Sequence, residues 1–288
     1  MPKNPAPWQK LARVNAHPRD ARIEFVEDTH TYYIDGDSTN IMSTTTFIHS
    51  FFGHFDPDAI IAKMMNSPKW QQSKYYGMTP EQIKKQWADN GAKASGLGTA
   101  MHLAIEMWYN EAYDEIDPAI YETTEWKYFM KFYKKYGERY KMYRSEHEVF
   151  SDDLRLSGSI DCVFQRDDGK FCLGDWKRSR EIKFSNPFQK GYGPCAILDD
   201  CNVNHYGLQL NIYKYYLETY YDMKIEEMFL IIIHPDNKSY QRIMISDDYG
   251  PIVQEMLECR RKAVQGGFVV PIDFSDYPIH QCPPQKHH

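Results

Sequence analysis

Several things are missing from this 288-residue chain, and each absence removes a class of protein. No apolar run reaches the roughly eighteen residues of a membrane-spanning helix. The six cysteines, at positions 162, 172, 195, 201, 259 and 282, contain no C-x-x-C pair, so no disulfide framework is expected and a reducing, intracellular compartment is. Cys162 and Cys172 are expected to pack as small buried apolar groups. There is no internal repeat and no low-complexity linker. Nor is there an excess of positive charge: 34 Lys and Arg face 40 Asp and Glu, for a net charge of -6. Binding to a polyanion would therefore need a local basic patch. Acid is scarce only in the first 22 residues, which hold Asp20 alone; Pro2, Pro5, Pro7 and Pro18 break any continuous presequence helix there, so a flexible basic arm over 1–22 is expected. The terminal Lys286-His287-His288 reads as a tag remnant.

What is present is the composition of a globular protein, 42% hydrophobic and 26% charged, with length enough for one large domain or two small ones. Aromatic content is high at 15%, including 22 Tyr, which suits stacking on bases or sugars as well as ordinary core filling.

The most informative stretch is Ser157 to Ser179. Ser157–Phe164 and Phe171–Trp176 read as strands joined by Arg166-Asp167-Asp168-Gly169, a hairpin turn with Asp-Gly at its tip. Asp161 lies inside the first strand, where a buried acid needs a compensating cation or donor. Asp175 and Lys177 end the second strand on one face, with Trp176 pointing away. The hairpin can bring Asp161 to that face. Two acids and a lysine at strand ends are the parts of a metal-dependent hydrolysis site, although acid-x-Lys alone reads more readily as a solvated face or an ion pair.

Upstream, Ile23–Ile34 alternates as a small hairpin with a turn at Asp35-Gly36-Asp37. Ser43 and Asp56 open short helices, and Thr79-Pro80-Glu81-Gln82 opens one running to about Asn90. This region, 23–95, is expected to form a hairpin and helical cap. A separate helix, Gly96–Tyr109, presents Ala100, Leu103, Ala104 and Met107 on an apolar face, with His102 and Glu106 one turn apart on another. A lone helical histidine is more commonly structural; its position just before the acid-bearing strands points to a ligand. Thr123–Tyr140 follows as an aromatic, Lys-rich helix. Arg144–Phe150 is the first core strand, and either Glu146 or Glu148 is placed to reach the cluster or to face solvent at the edge.

Beyond Lys177, the residues Arg178, Arg180, Lys183 and Lys190 form the local basic patch, interleaved with Phe184, Phe188 and Tyr192. An ordinary solvated loop is the competing reading. His205–Tyr221 is a helix carrying Gln209 and Tyr213 one turn apart, with Tyr206 a turn earlier. Met228–Ile233 suits a sheet centre, Tyr240–Ile245 a further strand, and Tyr249–Val264 a closing helix.

Taken together, Gly98-Thr99-Ala100-Met101-His102, Gly158-Ser159-Ile160-Asp161, Gly174-Asp175-Trp176-Lys177 and Gln209-Leu210-Asn211-Ile212-Tyr213 resemble the PD-(D/E)xK nuclease superfamily. The resemblance is to its RecB-type branch, which includes viral and phage exonucleases and the mitochondrial genome maintenance exonuclease. It spans about residues 96–234. Each motif is weak alone; their order on the right elements makes the signal specific. The branch implies an α/β, restriction-endonuclease-like core (αβββαβ, a central mixed sheet flanked by helices) over 96–270, followed by a tail at 271–288. It implies a metal-dependent deoxyribonuclease, an exonuclease on DNA ends or single strands in replication, recombination or repair. Asp175 replaces the commoner Glu, which the branch tolerates. Some members carry an iron–sulfur cluster with one cysteine upstream of the core; no cysteine precedes Cys162, so no cluster is expected.

The resemblance further implies one or two Mg2+ or Mn2+ ions held by Asp161, Asp175, the Trp176 carbonyl and His102. Lys177 would position or deprotonate the attacking water or stabilise charge, with Gln209 and Tyr213 orienting Lys177 or the scissile phosphate. Arg178, Arg180, Lys183, Phe188, Lys190 and Tyr206 would contact DNA. An RNA endonuclease of cap-snatching type and a non-catalytic nucleic-acid-binding module are the rival readings.

Overall fold

The computed structural model describes residues 5–284. The proposed tag remnant lies outside them. In chain order the elements are α1 (Lys10–Val14), β1 (Ile23–Val26), β2 (Thr31–Ile34), β3 (Met42–Ser43), α2 (Thr44–His49), α3 (Pro57–Met65), α4 (Pro80–Tyr109), α5 (Pro118–Tyr121) and α6 (Thr124–Tyr136). Then come β4 (Tyr140–Ser151), β5 (Leu156–Arg166), β6 (Phe171–Lys177), α7 (Asn202–Tyr220), β7 (Ile225–Ile232), β8 (Gln241–Ile245) and α8 (Gly250–Gln265).

A six-stranded mixed sheet runs β3-β5-β6-β7-β8, with β4 paired antiparallel along β5. The β5–β6 and β7–β8 pairs are antiparallel, whereas β6 and β7 are parallel. Alternation along β7 shows how the sheet is covered. Met228, Leu230 and Ile232 enter a core with α2, α7 and α8, while Phe229 and Ile231 enter a second core with α4 and α6. The turn after β5 reverses at Gly169, whose φ of 80° suits glycine, and Gly169 N–H donates to the Arg166 carbonyl at 2.9 Å.

Three expectations change. The helix over 79–90 does not stop before Gly96 but continues as the 30-residue α4. A Thr79–Gln82 capping box starts it, and burial of Met101, Ala104 and Ile105 anchors its far half; the glycines between lie in open space and are carried along. The β1–β2 hairpin reverses over Glu27–Thr29, with His30 at φ 52°, while Asp35-Gly36-Asp37 forms a separate turn after β2.

Among the described residues, the expected flexible arm is held to the rest of the chain from Gln9 onward. Leu11 N–H donates to Asn110 at 2.9 Å, Asn15 donates to the Tyr143 carbonyl at 2.8 Å, and Asp20 pairs with Arg144 at 2.7 Å. Of its basic side chains, Arg19 donates to the Phe150 carbonyl of β4 at 2.8 Å, whereas Arg13 stays exposed and bonds within the segment.

Candidate metal centre

The site forms at the carboxyl end of β6, beside the parallel strand β7. Asp175 and Lys177 share the face that also carries Leu173 toward α7; Trp176 points the other way, 5.6 and 5.3 Å from the rings of Phe129 and Phe132 on α6. On β5, Asp161 accepts the Trp176 backbone N–H at 2.8 Å, which stitches the two strands at the site.

His102 enters from the buried half of α4. Its Nε2–H donates to the Trp176 carbonyl at 3.0 Å, leaving Nδ1 turned toward Asp161 Oδ2 at 3.5 Å and Glu146 Oε1 at 3.6 Å. A metal-binding histidine is held this way, with one ring nitrogen anchored on a carbonyl and the other facing the acids, able to ligate once it gives up its proton. One ligand atom from each of His102, Glu146 and Asp161 lies within 4.8 Å of the others, close enough to share an ion.

Of the two glutamates left open by sequence, Glu146 is the one that converges. Its backbone adopts φ 42°, a conformation that costs a non-glycine residue energy and that clusters at functional sites. Ser159 Oγ donates to its second oxygen at 2.8 Å and fixes the carboxylate. No sequence motif marks this strain, so the choice between Glu146 and Glu148 was not readable from the chain.

The electrostatics are those of an acid-rich pocket. Burial, then the neighbouring Asp175, pushes the Asp161 carboxyl up to about 7. Burial would lower His102, but Asp161 and Glu146 outweigh it and raise the imidazole to about 9. Burial would likewise raise Glu146, but His102 and Ser159 hold it below the usual carboxylate range. Burial lifts Glu106, one turn after His102, to about 7, with Glu146 adding to the effect. Lys177 is pulled the opposite way to its burial: Asp175, whose Oδ2 is 2.7 Å from its Nζ, and Asp161 keep it a cation well above its ordinary range.

The remaining candidates divide. Asp175 is almost fully buried and engages Lys177, standing apart from the three-residue metal cluster. The Trp176 carbonyl accepts from His102. Gln209 donates to Tyr213 Oη at 3.3 Å, and the aromatic ring beneath Lys177 is Tyr206, with Nζ 4.8 Å from its centroid. Tyr206, expected on the DNA-contact surface, thus lies against Lys177, the residue that Gln209 and Tyr213 were expected to orient if not the scissile phosphate. Tyr213 explains the glycine of the Gly158-Ser159-Ile160-Asp161 motif: a Cβ at Gly158 would come within 2.8 Å of its ring and hydroxyl, so only glycine lets α7 sit this close to β5.

The basic patch also divides. Arg178 is half-buried and pairs with Glu125 of α6 at 2.9 Å. Lys190 lies 3.6 Å from Asp199, and Arg180 is 3.9 Å from Asp236. Lys183 and Phe188 stand exposed on the loop after β6, Phe188 at 94%.

Comparison with family profiles finds no match, and comparison with curated proteins finds none either. Among solved structures, SSO0001 is 15% identical, with 89% of this chain and 83% of that one aligned at a TM-score of 0.32. A protein from Eubacterium rectale named "Putative exonuclease" is 16% identical, over 86% of this chain and 90% of its own, at a TM-score of 0.43. Likenesses this distant carry no argument about function.

Proposed function

We propose that the chain is a divalent-metal-dependent nuclease that hydrolyses DNA phosphodiester bonds, working as an exonuclease on ends or single strands. On this reading the core is the restriction-endonuclease-like arrangement of the RecB-type branch. The observation that carries it is the meeting of His102, Glu146 and Asp161 beside the Asp175–Lys177 pair.

Two carboxylates and an imidazole are a donor set for Mg2+ or Mn2+, the nitrogen favouring Mn2+. The raised Asp161 carboxyl supports the fit, because a divalent cation would offset both its burial and the repulsion from Asp175. A bound ion supplies an activated water and neutralises charge building on the phosphate. Asp161, Glu146 and His102 Nδ1 would hold it. Lys177, kept positive by Asp175 and Asp161, stabilises developing phosphate charge as a cation instead of removing the water's proton. Asp175 fixes the lysine at 2.7 Å, and Tyr206 supports it from beneath.

End-labelled DNA, single- and double-stranded, and matching RNA followed over time with Mg2+, Mn2+ or EDTA test the reading. Lys177→Ala serves as the control. Metal-dependent release of short products from DNA ends, lowered by roughly a thousandfold in the variant, is expected. Undiminished cleavage by Lys177→Ala would sink the site assignment. Cuts confined to RNA would move the reading to an RNA endonuclease, and silence on every substrate despite bound metal to a binding module.

A further inference from the structure

A groove lies between α2 and α7. Its inner end is a cavity of 180 Å³ lined by His49, His205, Tyr206 and Gln209, among others. Tyr206 is also the ring beneath Lys177, so this cavity and the candidate chemistry share that side chain. His49 and His205 also line the adjoining cleft of 1050 Å³, between the α2–α3 segment and the loop after β6, where Phe55 and Lys63 join them. A third compartment of 640 Å³ continues from Phe55 and His205 to Lys183 and Phe188.

The lining has an unusual balance for a surface groove. Its acids are already engaged: Asp200 pairs with His205 at 2.9 Å, and Asp56 caps α3 by accepting the Ala59 N–H at 3.0 Å. Lys63 and Lys183 are exposed and have no ion-pair partner among the described residues. Phe55 and Phe188 are 63% and 94% exposed, an uncovered apolar surface with free cations beside it. Deeper in, the Phe52 ring lies 4.1 Å from the His205 imidazole and keeps it in place.

We propose that this groove is a track for an unpaired polynucleotide strand, with bases stacking on Phe55 and Phe188 and phosphates lying toward Lys63 and Lys183. The chemistry selects the occupant. Flat rings need exposed base faces, which a duplex hides in its stack, and unpaired lysines supply the sequence-independent attraction to the backbone. Continuity through His49, His205 and Tyr206 leads the strand to Lys177. This extends the nuclease reading by naming what reaches the site and from which side: the wall opposite the basic loop is the α2–α3 segment.

Binding is separable from chemistry if cleavage is prevented. Fluorescence anisotropy in EDTA, with labelled oligothymidylate and the corresponding thymidylate–adenylate duplex, reads the groove alone. The wild-type chain is expected to prefer the single strand. Phe55→Ala and Phe188→Ala should each weaken it by about tenfold while leaving duplex affinity within about twofold. Lys63→Ala and Lys183→Ala should each lower the slope of log affinity against log salt by about one. All four side chains are exposed, so circular dichroism should show unchanged folding. Oligothymidylate binding unaffected by the phenylalanine variants, or equal loss on duplex, overturns the track. Normal metal-dependent cleavage with unaltered groove affinity would do so while leaving the nuclease reading intact; single-strand binding without cleavage of any substrate would do the reverse.

Discussion

Within four residues of β4, two buried charge clusters begin, and they are balanced differently. Arg144 and His147 both reach Asp20, with Arg144 at 2.7 Å, His147 Nε2 at 3.5 Å, and the His17 backbone N–H at 2.9 Å. Burial alone would raise that carboxyl, but His147, Arg144 and the backbone donor hold it at about 2. Between them in sequence, Glu146 enters a cluster where three carboxylates face two cations. There burial and Asp175 leave Asp161 at about 7. In the first cluster one cation, Arg144, faces one carboxylate, Asp20, and the pair pins the N-terminal segment to the sheet. The second is left short of positive charge, which lowers stability but makes a place for a divalent ion, and perturbed groups gathered in this way mark functional sites.

The comparison predicts opposite signs for the same substitution, and this is the largest expected effect. Asp161→Asn should abolish Mn2+ binding by calorimetry and cut phosphodiester cleavage by roughly a thousandfold. Yet it should stabilise the metal-free chain by on the order of 2 kcal/mol, because it removes a repelled carboxylate and keeps an acceptor for the Trp176 N–H. Asp20→Asn should destabilise the chain by about 2 kcal/mol, since it leaves Arg144 buried without its partner. Urea melts of both variants in EDTA decide the matter; two shifts of the same sign would end the contrast.

Acid sharpens it next. The folded pKa of Asp161 is raised to about 7, so its destabilising contribution is complete above that value and fades as pH falls toward 4. The stability advantage of Asp161→Asn over wild type should therefore open between pH 4 and 7 and then level. The folded pKa of Asp20 is depressed to about 2, so its contribution is present above about 4 and lost as pH falls through 2. The gap between wild type and Asp20→Asn should close only there. Burial holds His147 down to about 4, so charging it adds a further loss of wild-type stability between about pH 6.5 and 4. Denaturation curves across pH 2 to 8 give all three windows; a wild-type advantage over Asp20→Asn that vanished already at pH 6 would break the pairing of Asp20 with Arg144.

Much of this was legible in the chain, for physical reasons. Strands rich in β-branched and aromatic residues around an Asp-Gly turn set β5 and β6, and period-2 alternation placed Asp175 and Lys177 on one face. The mixed sheet with flanking helices is the arrangement that the resemblance implied. What was not legible depends on tertiary geometry. Glu146 becomes a candidate ligand through a strained backbone that no local pattern encodes. Arg178 looks like its basic neighbours in sequence, yet Glu125, 53 positions away, holds it half-buried against α6. The packing of the N-terminal segment rests on partners such as Asn110, 99 positions from Leu11, and Arg144, 124 positions from Asp20, which composition cannot reveal.

The smallest effect concerns α4, which repeats the contrast along a single helix. Its far half carries His102 and is anchored by Met101, Ala104 and Ile105; its near half buries only Ile83 and then crosses open space at Gly91, Gly96 and Gly98. A helical glycine with nothing near a would-be Cβ costs about 1 kcal/mol against alanine, chiefly by leaving the unfolded chain more freedom. Gly91→Ala should therefore raise stability by about 0.5–1 kcal/mol in a urea melt and leave Mn2+ affinity unchanged, because the metal cluster stands three turns further on. If stability rises while cleavage of single-stranded DNA slows, the glycines serve bending of the helix beside the groove, and the near half of α4 belongs with the functional cluster. If both hold steady, the continuous helix is already as rigid as its anchored end, and the division between the two halves fails.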